Sequence, residues 1–348
     1  MLGAMRSIMP SLVMSQKHRT IYTANNKQLN MNQLPGKQLL DENQPLKPTT
    51  NLAVKEAFEG LGKTYDFYKS VFNRNSVDGK GLRLVATVHF GKNFNNAFWN
   101  GQEMIFGDGD GKLFTSFTGA VDVIGHELTH GVTQFTADLD YHNQSGALNE
   151  SFSDVFGSLI KQYPNQTVDK ADWLIGDGIL GPIAKTHAKA LRSMADPKAG
   201  LDPQPAKMSE YQDLPDDEMD DYGGVHVNSG IPNHAFYLVA TQLGGKAWEK
   251  AGAIWYNTLL RLRHNSQFAD CANTSAQVAA ALYGSGSNEH KAVIGAWKAV
   301  EVPVAAPSPT IATIEDVGAA PLHVSMADLK TQLEQTASQI ENIISKLP

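Results

Sequence analysis

The sequence predicts an α+β chain of two lobes, the N-terminal one β-rich and the C-terminal one mainly α, with a single helix between them. Three observations lead there. From Arg19 to about Lys112, short runs of β-forming residues alternate with Gly, Asn and Asp. Past residue 149, apolar residues recur at helical spacing between long polar loops. Between these stretches lies His126-Glu127-Leu128-Thr129-His130, where a helical period puts both imidazoles on one face.

In the first half, Thr20-Ile21-Tyr22-Thr23, the run from Leu82 to Phe90, and Met104-Ile105-Phe106 read as strands. One helix interrupts them: between Asn51 and Phe72, the residues Val54, Ala57, Phe58, Leu61, Tyr65, Phe67, Tyr68 and Val71 fall near helical spacing, as a core-facing stripe would. Gly107-Asp108-Gly109-Asp110-Gly111 reads as a turn between strands, because a calcium loop would need more carboxylates in a twelve-residue frame. In the second half, helices are expected at 149–162, 229–244, 245–264, 273–283 and 286–300, the last two capped near Asn273-Thr274-Ser275 and Ser287-Asn288-Glu289. The loop at 196–222 is too long for a mere connection and is expected to border something functional, while its acidic run from Asp213 to Asp221 reads as solvated charge.

The expected divisions are an N-terminal segment at 1–16, a β-rich lobe at 17–135 that ends in the central helix, an α-helical lobe at 136–302, a linker at 303–325 and an amphipathic helix at 326–347. The first of these is methionine-rich and broken by Pro10, a weak signal peptide at most. The linker begins with Pro303-Val304-Ala305-Ala306-Pro307. In the last, Leu329, Leu333, Thr336, Ile340, Ile343 and Leu347 alternate spacings of four and three, a heptad seam suited to self-association or to docking a partner.

A chain of 348 residues suffices for about two domains, and its net charge of -7 favours neither nucleic acid nor an anionic membrane surface, either of which would call for clustered Lys and Arg, so neither is expected as a partner. No apolar run approaches the roughly 20 residues that span a bilayer, so a soluble protein is expected. Cys271 is the one cysteine and reads as a packing residue, with no disulfide framework.

Two histidines four apart on a helix suit one zinc ion, and a catalytic zinc takes a third protein ligand and leaves its fourth position to water. The candidate third donor is Glu150, in Asn149-Glu150-Ser151-Phe152-Ser153-Asp154, where a second helical pattern begins. Asp154 lies one turn beyond Glu150 and can accept a hydrogen bond from a ligating histidine. Glu127 stands beside the pair without being a ligand, free to take a proton from water that the metal has acidified.

These residues resemble the zinc site of the thermolysin-like neutral metalloproteases, and the likeness runs from about Ile21 to Val302. Stretches such as Leu34-Pro35-Gly36-Lys37 and Ala171-Asp172-Trp173-Leu174-Ile175-Gly176 lean toward the shorter, protealysin-like members. The resemblance implies a secreted zinc endopeptidase acting on protein or peptide substrates. By it, His126, His130 and Glu150 are ligands, Glu127 is the general base and Asp154 orients His126. Tyr141 and His226 would stabilise the oxyanion, with Asp221 holding the imidazole of His226 protonated. Asn96 and Ala97 would hold an extended substrate, Arg192 would bond the carbonyl after the scissile bond, and Phe114, Phe117, Val123 and Leu191 would line a pocket for a bulky hydrophobic residue. Family members bind paired calcium ions near the positions of Asp122, Asp172 and Asp177, but Lys161 stands here where they have an acid, so at most one calcium is expected. Two alternatives are a catalytically idle peptide-binding relative recruited through 326–347, and a zinc aminopeptidase. The second is disfavoured for want of an acidic residue near the cleft to anchor an amine.

Overall fold

The computed structural model describes residues 16–305. The segment before residue 16, most of the expected linker and the amphipathic helix expected at 326–347 lie outside the described residues.

The N-terminal lobe is built on a five-stranded mixed sheet in the order β2-β1-β3-β5-β4, formed by β1 (Arg19–Lys27), β2 (Lys37–Asp41), β3 (Leu84–Phe90), β4 (Ala97–Trp99) and β5 (Met104–Phe106). β3 is central and parallel to both β1 and β5, so its residues Leu84, Ala86, Val88 and Phe90 are buried. The β1 to β3 crossover is α1 (Leu52–Phe72), whose Asn51 cap accepts the Val54 N–H and whose Asn73 ends it in the left-handed region at φ 52°. Its apolar stripe is the expected one, with Val54, Ala57, Phe58, Leu61, Tyr65, Phe67 and Tyr68 buried. β4 lies antiparallel to β5 at an edge of the sheet, with no further strand beyond it among the described residues.

Next comes α2 (Val121–Gln134), the expected zinc-site helix, fixed to α1 by the Tyr68 hydroxyl against Thr129 Oγ1 at 2.8 Å. The helical lobe then opens with α3 (Asn143–Gln162), packed along α2. Close approach is what Gly157 permits: a Cβ there would stand 2.5 Å from the Asp122 carbonyl oxygen. The short strands β6 (Leu174–Ile175) and β7 (Arg192–Ser193) pair, and the lobe is completed by α4 (Asp221–Asn228), α5 (Gly230–Leu243), α6 (Ala251–Leu259), α7 (Phe268–Tyr283) and α8 (Asn288–Ala299). One apolar core runs through both lobes, with Phe72 stacked on Tyr256 at 4.2 Å between centroids. Cys271 is a buried free thiol within it.

The structure corrects several boundaries. α3 starts at Asn143, six residues before 149, because its first turn is polar and carries Gly146, so no apolar period marks it. α7 starts at Phe268, where Gln267 and Asp270 form a reciprocal capping box; Asn273 instead accepts the Ala305 N–H at 2.7 Å. The helix expected at 245–264 is limited to α6. The packed body reaches past Val302, since Val304 also rests on the core. The glycine-rich turn at 107–111 is closed by Asp110 Oδ1, which accepts the amides of Lys112, Leu113 and Phe114, but it leads to an isolated bridge between Phe114 and Leu180 and not to another strand.

Candidate active site

His126 and His130 lie one turn apart on α2, and Glu150 and Asp154 one turn apart on α3, so the packing of two helices brings four side chains together. Each imidazole has its Nδ1 committed. His126 Nδ1 lies 2.8 Å from Asp154 Oδ1, an ionised carboxylate that only accepts, so Nδ1 carries the proton. His130 Nδ1 lies 2.8 Å from Asn149 Oδ1, whose orientation is set because Asn149 Nδ2 donates to the Leu139 carbonyl. The two Nε2 atoms then face each other at 3.1 Å. Glu150 Oε2 is 3.4 Å from His126 Nε2, Glu150 Oε1 is 3.4 Å from His130 Nε2, and Oε2, though buried, accepts no hydrogen bond among the described residues.

Lone pairs gathered in this way repel unless positive charge lies among them. Burial opposes charge on His126, yet Asp154 and Glu150 push its pKa up to about 10, while burial drives His130 down to about 4. The cluster therefore draws in positive charge. The two Nε2 atoms are 3.1 Å apart and each stands 3.4 Å from a Glu150 oxygen, close to the roughly 3.3–3.6 Å that separates the ligands of a tetrahedral zinc bound at roughly 2.0–2.2 Å. His126, His130 and Glu150 fit that ion.

Glu127 points to the other side of the histidine pair, toward the edge strand, where its Oε2 accepts the Trp99 N–H at 3.2 Å and burial pushes its pKa up to about 7. The Tyr141 hydroxyl donates to Glu150 Oε1 and lies 3.2 Å from His226 Nε2. His226 Nδ1 is 2.8 Å from Asp221 Oδ1; burial opposes its charge, but Glu150 and Asp221 push its pKa up to about 9. That pairing depends on a left-handed turn through Asp221, Tyr222, Gly223 and Gly224, with φ of 58°, 49°, 80° and 71°. Two of the four are glycine, the residue for which this backbone is unstrained.

Asp154 is a hub that the sequence showed only in part. Besides His126 it accepts Arg192 Nε at 2.8 Å and Nη2 at 2.7 Å, and Asn233 Nδ2 at 2.9 Å, and Arg192 and His126 hold its carboxyl well below the usual range against the effect of burial. Sequence reasoning missed Asn149 and Asn233. The same spacing rule that pairs Glu150 with Asp154 could have found Asn149, which shares a face with Ser153; Asn233 carries no local signal at all.

The remaining expected residues lie around the cleft. Asn96 and Ala97 are at the start of β4; the Ala97 N–H is engaged by Asn96 Oδ1 at 2.8 Å, and Asn96 Nδ2 is buried without a partner among the described residues. Phe114 and Phe117 are buried with ring centroids 5.5 Å apart, Val123 is buried on α2, and Leu191 is half-buried just before β7. The long 196–222 loop does border the site, for Gln204 Nε2 donates to the His226 carbonyl at 2.6 Å and Asp216 binds His142 and Asn143. Away from the cleft, the Lys161 ammonium lies 2.7 Å from Asp177, 3.1 Å from Asp172, 3.5 Å from Asp122 and 3.2 Å from the Leu174 carbonyl.

Two family models match, described as the catalytic domain and the alpha-helical domain of thermolysin metallopeptidase, over residues 9–134 and 137–302. Among curated proteins, protease PrtS of Photorhabdus sp. (strain Az29) is 48% identical over 295 residues, covering 82% of this chain and 77% of that protein. An extracellular metalloprotease of Pectobacterium carotovorum subsp. carotovorum is 52% identical over 275 residues, 76% of each. Among solved structures, the precursor of protealysin, a metalloproteinase from Serratia proteamaculans, superposes with a TM-score of 0.77 at 50% identity, covering 83% of this chain and 88% of that one. The chain belongs to the thermolysin family of metallopeptidases, close to its protealysin-like members, and is a zinc metalloendopeptidase.

Proposed function

We propose that the protein hydrolyses internal peptide bonds with Glu127 as general base, preferring a bulky hydrophobic residue just after the cut. The observation that carries this reading is the convergence of the His126, His130 and Glu150 lone pairs, with the Glu127 carboxylate beside them and outside the set. Bound there, zinc supplies Lewis acidity toward water and the scissile carbonyl. Glu127 accepts the proton of the attacking water and returns it to the leaving amine. His226, kept protonated by Asp221, and the Tyr141 hydroxyl donate to the oxyanion as it forms. Asp154 holds the His126 ring in one tautomer.

An extended peptide lies along the edge strand β4, where the Ala97 and Trp99 carbonyls face outward and Asn96 Nδ2 is a buried donor in search of an acceptor. Two nitrogens of Arg192 are spent on Asp154, and Nη1 remains for the carbonyl after the cut. Phe114, Phe117, Val123 and Leu191 line the pocket beside it. The Lys161 ammonium stands among the Asp122, Asp172 and Asp177 carboxylates and offsets part of their charge, so at most one calcium is held. The extracellular Pectobacterium relative supports action outside the cell.

An idle binder has no physical need for Glu127, Tyr141 and His226 around one ion. As for an aminopeptidase, one carboxylate does approach the cleft: Asp202 runs beside Leu191 and Arg192, the side that takes the residue after the cut, whereas an amine anchor belongs before it. The test is Glu127→Ala. It is expected to keep its zinc and to lose roughly 10²–10⁴-fold in cleavage of a peptide blocked at both ends; wild-type speed from this variant would exclude Glu127 as the base.

A further inference from the structure

The chain after β7 brings back to the cleft a carboxylate to which none of the roles above applies. Leu201 N donates to the Ala190 carbonyl at 2.9 Å and Asp202 N to the Leu191 carbonyl at 3.0 Å, so residues 201–202 run against the stretch that holds Leu191 and Arg192. Two residues on, the Gln204 side chain is pinned to the His226 carbonyl at 2.6 Å and to Ser229 Oγ at 2.9 Å. The stretch 201–204 is thus held at one end against the residues that lead into β7 and at the other against His226 and Ser229.

Its half-buried side chain accepts no hydrogen bond and makes no ion pair among the described residues. The two cations nearest to it in the site are already committed, Arg192 to Asp154 and His226 to Asp221. Burial raises the pKa of Asp202, and the charges of Arg192 and His226 act on it only from a distance, in the opposite sense. An uncompensated carboxylate costs stability and is retained chiefly where it serves a site.

We propose that Asp202 sets the charge preference of the pocket for the residue after the cut, favouring a lysine-like cation and rejecting a carboxylate. The inference rests on the proposed reading that Leu191 and Arg192 flank that residue. A lysine would lay its methylenes along the apolar wall at Leu191 and carry its ammonium toward Asp202, whose backbone is bonded to Leu191. A glutamate would meet like charge.

The test uses the zinc-loaded full chain and three doubly blocked peptides identical except for Met, Lys or Glu at the residue after the cut, with mass spectrometry to locate the cut. The quantity read is the ratio of kcat/KM for the Lys peptide to that for the Glu peptide. Asp202→Asn is expected to lower this ratio about tenfold relative to wild type, the scale of one partly exposed charge acting with opposite sign on the two peptides. Raising salt to about 1 M, where the screening length is about 3 Å, is expected to lower the wild-type ratio in the same direction. A ratio unchanged in Asp202→Asn overturns the inference, and should that variant not fold, a wild-type ratio indifferent to salt does so. If the wild type cuts the Met peptide elsewhere or not at all, the pocket assignment beneath the inference fails as well, a result distinct from an unchanged ratio.

Discussion

Replacing Asp154 by Asn keeps the volume of a side chain that is fully buried and alters only what its two terminal atoms can do. Oδ1 accepts His126 Nδ1 and Arg192 Nη2, and Oδ2 accepts Arg192 Nε and Asn233 Nδ2, all between 2.7 and 2.9 Å. Whichever way the new amide turns, its NH₂ faces two donors, and the Arg192 guanidinium loses its counter-charge in the interior. Removing one partner of a buried pair costs about 3–5 kcal/mol, a large share of the roughly 5–15 kcal/mol that holds a domain together. For a chain of this size that is a fall in melting temperature of about 10 °C. Because Asp154 also fixes the His126 tautomer, zinc affinity should drop by about 10–100-fold. The measurement is thermal unfolding and chelator competition on a Glu127→Ala background, which prevents self-digestion from setting the apparent midpoint. A variant within 2 °C of its parent, with unchanged zinc affinity, would refute the claim that this carboxylate ties the metal helix to the Arg192 strand.

Glu103 gives a pH-dependent expectation away from the site. It is buried just before β5, with the Thr87 hydroxyl of β3 at 2.6 Å, and burial pushes its pKa up to about 7 from 4.5. A carboxyl raised in the folded state fits as its protonated form; its contribution is full below the unfolded pKa and is lost as pH rises through about 7. Glu103→Gln is therefore expected to stabilise the protein by about 1–3 kcal/mol at pH 8 and by little at pH 5, as read from denaturant midpoints at the two values. Lys161→Met should leave three carboxylates facing one another, lowering the melting temperature in chelator and making it recover with added calcium; the wild type, assayed by plasma emission, should hold fewer than two calcium ions per chain.

The local arithmetic of helices made much of this centre legible. Spacings of four place His126 with His130 and Glu150 with Asp154, and the structure brings the two pairs face to face. The charge of Lys161 among Asp122, Asp172 and Asp177 was likewise visible as a substitution of sign. What stayed hidden depends on chain segments far apart: Arg192 and Asn233 reach Asp154 across 38 and 79 residues, and nothing local marks Asn233 as polar for a reason. Periodicity located the stripe of α1 well because all of that helix packs on one core. It misplaced the starts of α3 and α7, where polar first turns and a Gln-Asp capping box replace the apolar signal. Asp202 escaped notice because its importance arises only when the loop after β7 folds back beside Leu191.

The central claim is that one divalent cation, held by His126, His130 and Glu150, enables the cut. It is tested most directly by zinc content and blocked-peptide cleavage on the same purified sample, before chelation, after it and after zinc is returned. One zinc per chain, internal cleavage that disappears with the metal and returns with it, is the expected result; cleavage that continues at the same rate in the metal-free protein would contradict it.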